Sequence, residues 1–531
     1  MTINVVGLSS SRKTPGIYLR TVFGGAGASA GSAPKKILLV GNALGSALSG
    51  AAPSFSVDAG TMAAAEPIFS ASPDDTRVHA GRGSELHRMH AAVAAQYPDA
   101  TVYLLAVAES TGTKASATLT FVGTASGAVT LRLVICGKPI DVAVANSDTA
   151  TTIATAAANA ILDEPDLPVT AQYALGVLTI TAKHPGPRGN DLVVDAYWVS
   201  STSVETRITT VPVSSGVTTT GQFAGVTTVE STYKLAGGTM ADDVTNALAA
   251  VVGTKFDRYV LAHRDTTNVG LVTSQLDTMA GVTVQLRQQA VVCIGDTYAT
   301  AVTFATGRNK ERLQCVWHYN SETPLEEVAA QVCAARLIGD AQAGGNIVGE
   351  ATDPAANLDG LRLKTVRRQR FAGERPTPTE IENALNNGLT PLAGTDDGLT
   401  TVVRSITTRC LASGQPNYSV MDTSVVTVGD HVADDLRADL AAVYAGFKLA
   451  ADTADGSPPK AANVTTPSLV KSRIGFKLRQ YEEQGILTGV EAHLPLLAVT
   501  SPSASRLDAE IPFEPMPGLH VIGGNVRQVA A

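Results

Sequence analysis

The chain has 531 residues, enough for roughly three or four domains of ~100–200 residues each, and 44% of them are hydrophobic, which supports real cores. A net charge of −8 and a pI near 5.6 exclude the basic footprint of a nucleic-acid binder, and no apolar run reaches the ~18 residues of a membrane span. Aromatics are only 5% while Ala, Thr, Val and Gly abound, a composition that favours sheets and close, repeated contacts.

Arg12 and Lys13 are followed by no hydrophobic stretch, so no signal peptide is expected. Cys136, Cys293, Cys315, Cys333 and Cys410 are scattered, with no CxxC or Cys/His grouping, and read as reduced core thiols in a protein made in the cytoplasm. Gly16, Ile17, Tyr18 and Leu19 form a short extended run, separated by the flexible Gly/Ala/Ser segment 24–31 from a first buried strand at 35–41. Ser84 caps a helix carrying Leu86, Met89, Val93 and Tyr97 at i, i+3 and i+4 steps, and 101–107 returns as a strand. That β-α-β order predicts a parallel sheet.

From about 114 to 216 the texture changes to short strands rich in Thr and Val (117–122, 129–135, 140–144, 177–181, 191–197) with one helix at 149–162. This predicts a β-rich, solvent-facing domain inserted into a loop of the α/β domain. The alternation then resumes, with helices at 242–252, 268–280 and 298–309 and strands at 258–262, 290–294 and 313–317. Thr323, Pro324 and Glu326 read as a capping box opening a further helix.

A C-terminal module follows the basic run Arg367, Arg368, Gln369, Arg370. Thr377 and Glu380 form a second capping box; strands are predicted at 400–407 and 419–421. Asp430 is predicted to cap a long helix with Val432, Leu436, Leu440, Val443 and Phe447 on one face. Thr466 and Pro467 open another, with Val470, Ile474, Leu478 and Tyr481 inward. Beyond it the tail from Leu507 onward, through Leu519, Val521, Ile522, Val526 and Val529, reads as extended chain with no later element to pair with. An open terminal strand is either blunted or shared with another subunit.

No constellation adds up to an active site, a cofactor site or a metal site. Gly41 to Gly45 follows a strand but lacks both phosphate-binding glycine signatures, and reads as a plain turn. His79, His87 and His90 have no completing ligand and read as incidental on a surface helix. Gly237, Gly238, Thr239, Met240 and Ala241 resemble the nucleophile turn of subtilisin-type proteases, but the attacking serine is missing. The 367–370 run reads as a solvated face, with a phosphate site as the alternative. Lys471, Arg473, Lys477 and Arg479 surround the apolar stripe of their helix; solvation explains them, and an acidic partner surface is the competing reading.

In order along the chain, several segments resemble the contractile tail sheath proteins of bacteriophages, specifically the Mu-like sheath group. They are Gly81 to Met89 (GRGSELHRM) before Tyr103 to Ala106, then His184 to Asp191 (HPGPRGND), Leu235 to Gly238 and Phe256 to Leu261. Glu374 to Glu380 (ERPTPTE), Asn386 to Leu389, Val403 to Thr408, Thr465 to Pro467, Tyr481 to Glu483 and the closing strands follow. Each is weak alone, and their order over most of the chain carries the likeness. The Gly/Ala/Ser-rich N-terminal arm and Cys410 depart from that pattern.

The resemblance implies an α/β, multidomain fold: a subtilisin-like α/β sheath domain (34–113 and 217–372), an inserted β-rich outer domain (114–216), and an α+β C-terminal domain facing the tail tube (373–506). An N-terminal linking arm (1–33) and a C-terminal linking strand (507–531) complete it. It further implies a six-fold helical array of copies around the tail tube, bounded by baseplate and tail terminator proteins and located in the virion tail. Gly16 to Leu19 and Leu519, Val521, Ile522, Val526 and Val529 would join sheets of neighbouring subunits; Lys471, Arg473, Lys477 and Arg479 would face the tube. No cofactor, nucleic acid or membrane insertion is implied. The competing readings are the sheath of a headless, bacteriocin-like particle, which shares all the physics, and a subtilisin-like peptidase, which would need an assembled Ser-His-Asp site.

Overall fold

A computed structural model describes residues 35–44, 60–339, 348–453, 459, 461–521 and 523. Its centre is a nine-stranded mixed sheet in the order Pro67–Ser70, Thr101–Ala106, Lys36–Gly41, Arg258–Leu261, Gln289–Ile294, Leu313–Trp317, Thr390–Gly394, Leu399–Val402, Leu361–Arg367. The strands from Thr101–Ala106 to Thr390–Gly394 run parallel, and the outer ones are antiparallel. Continuous apolar strands suit a parallel sheet covered on both faces, and period-two alternation divides them between two cores. Ile37, Leu39, Val291, Cys293 and Val316 point to one core, with Leu86, Met89 and Val93 of the Glu85–Gln96 helix and the Leu325–Ile338 helix. Leu38, Val40, Val292, Ile294 and Cys315 point to the other, under the Thr266–Met279 and Tyr298–Arg308 helices.

The parallel β-α-β order, the Ser84 cap and the helix at Ala150–Leu162 agree with the sequence reading. The inserted body is larger than 114–216. Strand Thr220–Ala224 pairs with Lys114–Val122, and Phe223, Tyr233 and Leu235 share the insert's core with Trp198, so the body runs to about Leu235. The Ser/Thr/Gly stretch near 214–221 is a hairpin inside it, not a tether. The expected boundary at 372/373 also moves. Thr390 and Pro391 pair with Val316 and Trp317, and Ala384 and Leu389 join the second core, so the segment from the Pro378–Asn386 helix to Val402 belongs to the central sheet.

Two helix starts differ from expectation. The helix expected to begin at Asp430 spans Thr423–Tyr444, because Asp430 lies inside it with its carboxylate on Arg312 instead of on backbone N–H groups. The Leu325–Ile338 helix has no capping box, since Glu326 turns away to accept from Arg88 Nη2 at 2.7 Å. The Thr377–Glu380 box forms as read. His87 and His90 are buried, not on a surface: the Glu85–Gln96 helix is wedged against the Leu325–Ile338 helix by Arg88, which ion-pairs with both Glu326 and Glu327. No strand forms at 419–421, and the one expected at 400–407 is only Leu399–Val402.

Candidate functional site

The two ends of the parallel strands carry different modules. At their C-terminal ends lies the inserted body, joined through charged groups. Arg188 donates to Glu85 at 3.0 Å and to Asp242 at 2.7 Å, Arg264 donates to Asp191 at 2.5 Å, and His184 Nδ1 lies 2.6 Å from Glu109. Burial would raise the Glu85 carboxyl, but Arg188, then His184 and His263, outweigh it and hold it down to about 2. A cleft of about 770 Å³ opens beside this junction, lined by Arg188, Asp191, Asp242, Arg264, Asp296 and Phe304 among others.

Ala241, the last residue of the turn that resembles a nucleophile loop, lines this cleft beside Asp242. Asp242 Oδ2 lies 3.3 Å from His263 Nε2 and also accepts from Asn42 Nδ2 at 3.0 Å. Burial pushes the His263 pKa down, and its Nδ1 has no hydrogen-bond partner among the described residues. No serine or cysteine side chain is hydrogen-bonded to that imidazole among the described residues. The geometry of the pair serves to seat Arg188 of the inserted body.

The opposite, N-terminal strand ends carry the C-terminal module. Its core joins Val428, Val432, Leu436 and Leu440 to Val470, Ile474, Leu478 and Tyr481 of the Pro467–Glu483 helix, which Thr466 caps as read. The charges around that second stripe are mostly engaged within the chain. Arg473 Nε donates to Asp439 at 2.8 Å, Lys477 pairs with Asp435 at 2.8 Å, and Arg479 Nε donates to Glu491 at 2.5 Å. Lys471 is exposed and lines a groove with Ser468, Ser472 and Gly475, and Phe476 on the same helix is half exposed. Of the basic residues singled out in the sequence, the structure thus separates Lys471 from three that bridge neighbouring elements.

The tail is held closer to the body than the sequence suggested. Arg506–Glu510 pairs antiparallel with Ala498–Ser503, so the first part of the expected terminal strand is half of a hairpin within the chain. Its partner is the element just before it in the chain. Beyond it, Met516 N–H donates to Ile486 O at 3.2 Å and Asn357 Nδ2 donates to Leu519 O at 3.2 Å. His520 lies 2.5 Å from Asp359 and 3.5 Å from Asp422. The side chains of Leu519 and Val521 remain 70% and 84% exposed, so neither belongs to this chain's own core. Ile522, Val526, Val529 and the N-terminal run Gly16 to Leu19 lie outside the described residues.

No protein-family model matches the chain. It is 23% identical over 496 residues to the Mu-like prophage FluMu tail sheath protein of Haemophilus influenzae, covering 92% of each chain. The resemblance is to the Mu-like tail sheath proteins. Solved sheath tail proteins of Desulfitobacterium hafniense (14% identity, TM-score 0.45, 96% of this chain and 97% of that one) and Listeria innocua (15%, 0.46, 92% and 94%) are also similar. At those TM-scores the two solved structures decide nothing further. The sheath likeness spans all three bodies: central sheet, inserted body and C-terminal module.

Proposed function

We propose that this chain is the structural subunit of a contractile phage tail sheath, polymerising helically around a tail tube and contracting to drive it through the host envelope. The observation that carries the reading is the end-to-end likeness to a curated tail sheath protein, which covers 92% of both chains. The central domain is subtilisin-like in architecture, the inserted body is outermost, and the C-terminal module faces the tube protein. Copies assemble with six-fold symmetry in the host cytoplasm and meet baseplate and terminator proteins at the ends of the tail.

The geometry suits this role. The Ala498–Ser503/Arg506–Glu510 hairpin is a two-stranded sheet, marginal alone and able to accept further strands at its outer edges. The exposed Leu519 and Val521 begin the segment that joins a neighbour's sheet, with Gly16 to Leu19 as the N-terminal counterpart. Work of contraction comes from repacking one repeated heterologous interface between two array states. Negative-stain electron microscopy of the purified full-length protein tests the reading. Tubes of sheath dimensions are expected; a monodisperse protein that forms no tubes, with or without tube protein, rejects it.

A further inference from the structure

The Thr423–Tyr444 helix meets the N-terminal ends of the parallel strands through polar groups. Glu350, with no exposed surface, accepts from Arg258 Nη2 at 2.6 Å, from Arg336 Nη2 at 2.8 Å and from Thr427 Oγ1 of that helix at 3.1 Å. Three residues further along the helix, Arg312 donates both terminal nitrogens to Asp430 at 2.7 Å each. One turn on, Asp434 accepts from Lys255 Nζ at 2.7 Å and also pairs with Arg287. Where the chain enters the helix, Arg404 donates twice to Asp422 at 2.7 and 2.8 Å.

The apolar core of the module is separate from both cores of the central sheet. Beside buried apolar residues such as Val426, the junction between the two bodies is crossed by a row of charge pairs, graded from the sealed Glu350 to Lys255, whose side chain is 42% exposed. Polar interfaces between bodies of one chain permit relative motion where large apolar ones forbid it. Pairs at such a rim weaken with salt, whereas burial of apolar surface does not.

We propose that the C-terminal module is a distinct body latched to the sheet by this ionic row, seated and released as a unit about the 403–422 connection. Glu350 and the Asp430–Arg312 pair are the buried pins, and the Asp434–Lys255 pair is the exposed, releasable rim. The latch goes beyond the assembly reading, since it acts within one subunit whatever the module faces.

Trypsin cleavage after Arg287, which lies in the irregular 281–288 segment and is buried where the helix covers it, reports release in the full-length, unassembled chain. Asp430→Asn with Asp434→Asn is expected to raise that cleavage rate by ~10-fold or more. Asp439→Asn, which breaks a pair inside the module, should leave it unchanged. Raising salt from ~0.1 to ~1 M shortens the Debye length from about 10 to about 3 Å. It should speed wild-type cleavage at least ~3-fold, corrected for the enzyme's own salt response on a peptide. Cleavage indifferent to both the double variant and salt overturns the latch. If the double variant does not fold, the wild-type salt response alone decides.

Discussion

Arg336 and Glu350 face each other at 2.8 Å with no solvent-exposed surface on either side chain, on opposite sides of a helix end and deep below the strand termini. Burial alone would raise the Glu350 carboxyl, but Arg258 and Arg336 together hold it down to about 2. The pair is surrounded by Gln289, Gln314 and Thr427, so its further hydrogen bonds come from several different elements.

Removing one partner of such a cluster strands the rest. Glu350→Gln is expected to destabilise the protein by roughly 3–5 kcal/mol, because two guanidiniums stay buried without their counter-charge. Denaturant unfolding followed by circular dichroism measures it. Replacing Arg258 and Arg336 by Met together with Glu350→Leu should restore much of the loss. A Glu350→Gln protein as stable as wild type would show that water reaches the cluster.

Charge reversal separates the basic residues of the Pro467–Glu483 helix. Lys471→Glu should leave Tm within about a degree of wild type and weaken assembly around tube, since it changes an exposed site. Arg473→Glu and Lys477→Glu place carboxylates against Asp439 and Asp435, and each should cost about 0.5–1 kcal/mol in the monomer before any effect on assembly. Thermal melts paired with sedimentation of tube-bound sheath distinguish the two effects. Equal assembly by Lys471→Glu and wild type removes that residue from the tube-facing surface.

Two truncations resolve the tail. Deleting 519–531 removes the His520 clasp with the linking segment and should give a soluble monomer that forms no tubes. Deleting 522–531 keeps the clasp, and its tail should remain docked even though assembly fails. Hydrogen bonds to Asp422 and Asp359 raise the His520 pKa above its ordinary value. The clasp's contribution is therefore full below about pH 6.5 and is lost as pH rises through the raised value. Carboxypeptidase digestion should accelerate on raising pH across that range in the 522–531 deletion, and His520→Ala should abolish the dependence.

Buried histidines should make the fold less stable as pH falls below neutrality. Burial holds His90, His318 and His431 down to about 4, and neither ring nitrogen of His318 has a hydrogen-bond partner among the described residues. Between the ordinary 6.5 and about 4, the unfolded chain binds protons that the folded chain refuses, so stability falls as pH drops through that window. His318→Phe should remove part of the drop in Tm between pH 7 and about 4.5, since no hydrogen bond is lost. An unchanged slope would mean that His318 reaches solvent.

Local chemistry was legible in the sequence wherever it depends on neighbours along the chain. Period-two strands, the caps at Ser84, Thr377 and Thr466, and the paired apolar stripes of the last two long helices are short-range patterns, and the structure forms them. The family resemblance, spread thinly over ordered segments, was legible for the same reason. Asp430 misled because an acidic residue before an apolar stripe looks like a cap; only the approach of Arg312, 118 positions away, shows that it is a bridge. The insert's true end and the membership of residues 378–402 in the central sheet depend on which strands meet, a matter of long-range pairing. Burial of His87 and His90, and the union of Arg258, Arg336 and Glu350, were likewise decided by tertiary packing. Sequence periodicity reports which face a side chain takes, and only the fold decides which charges are left to neutralise one another there.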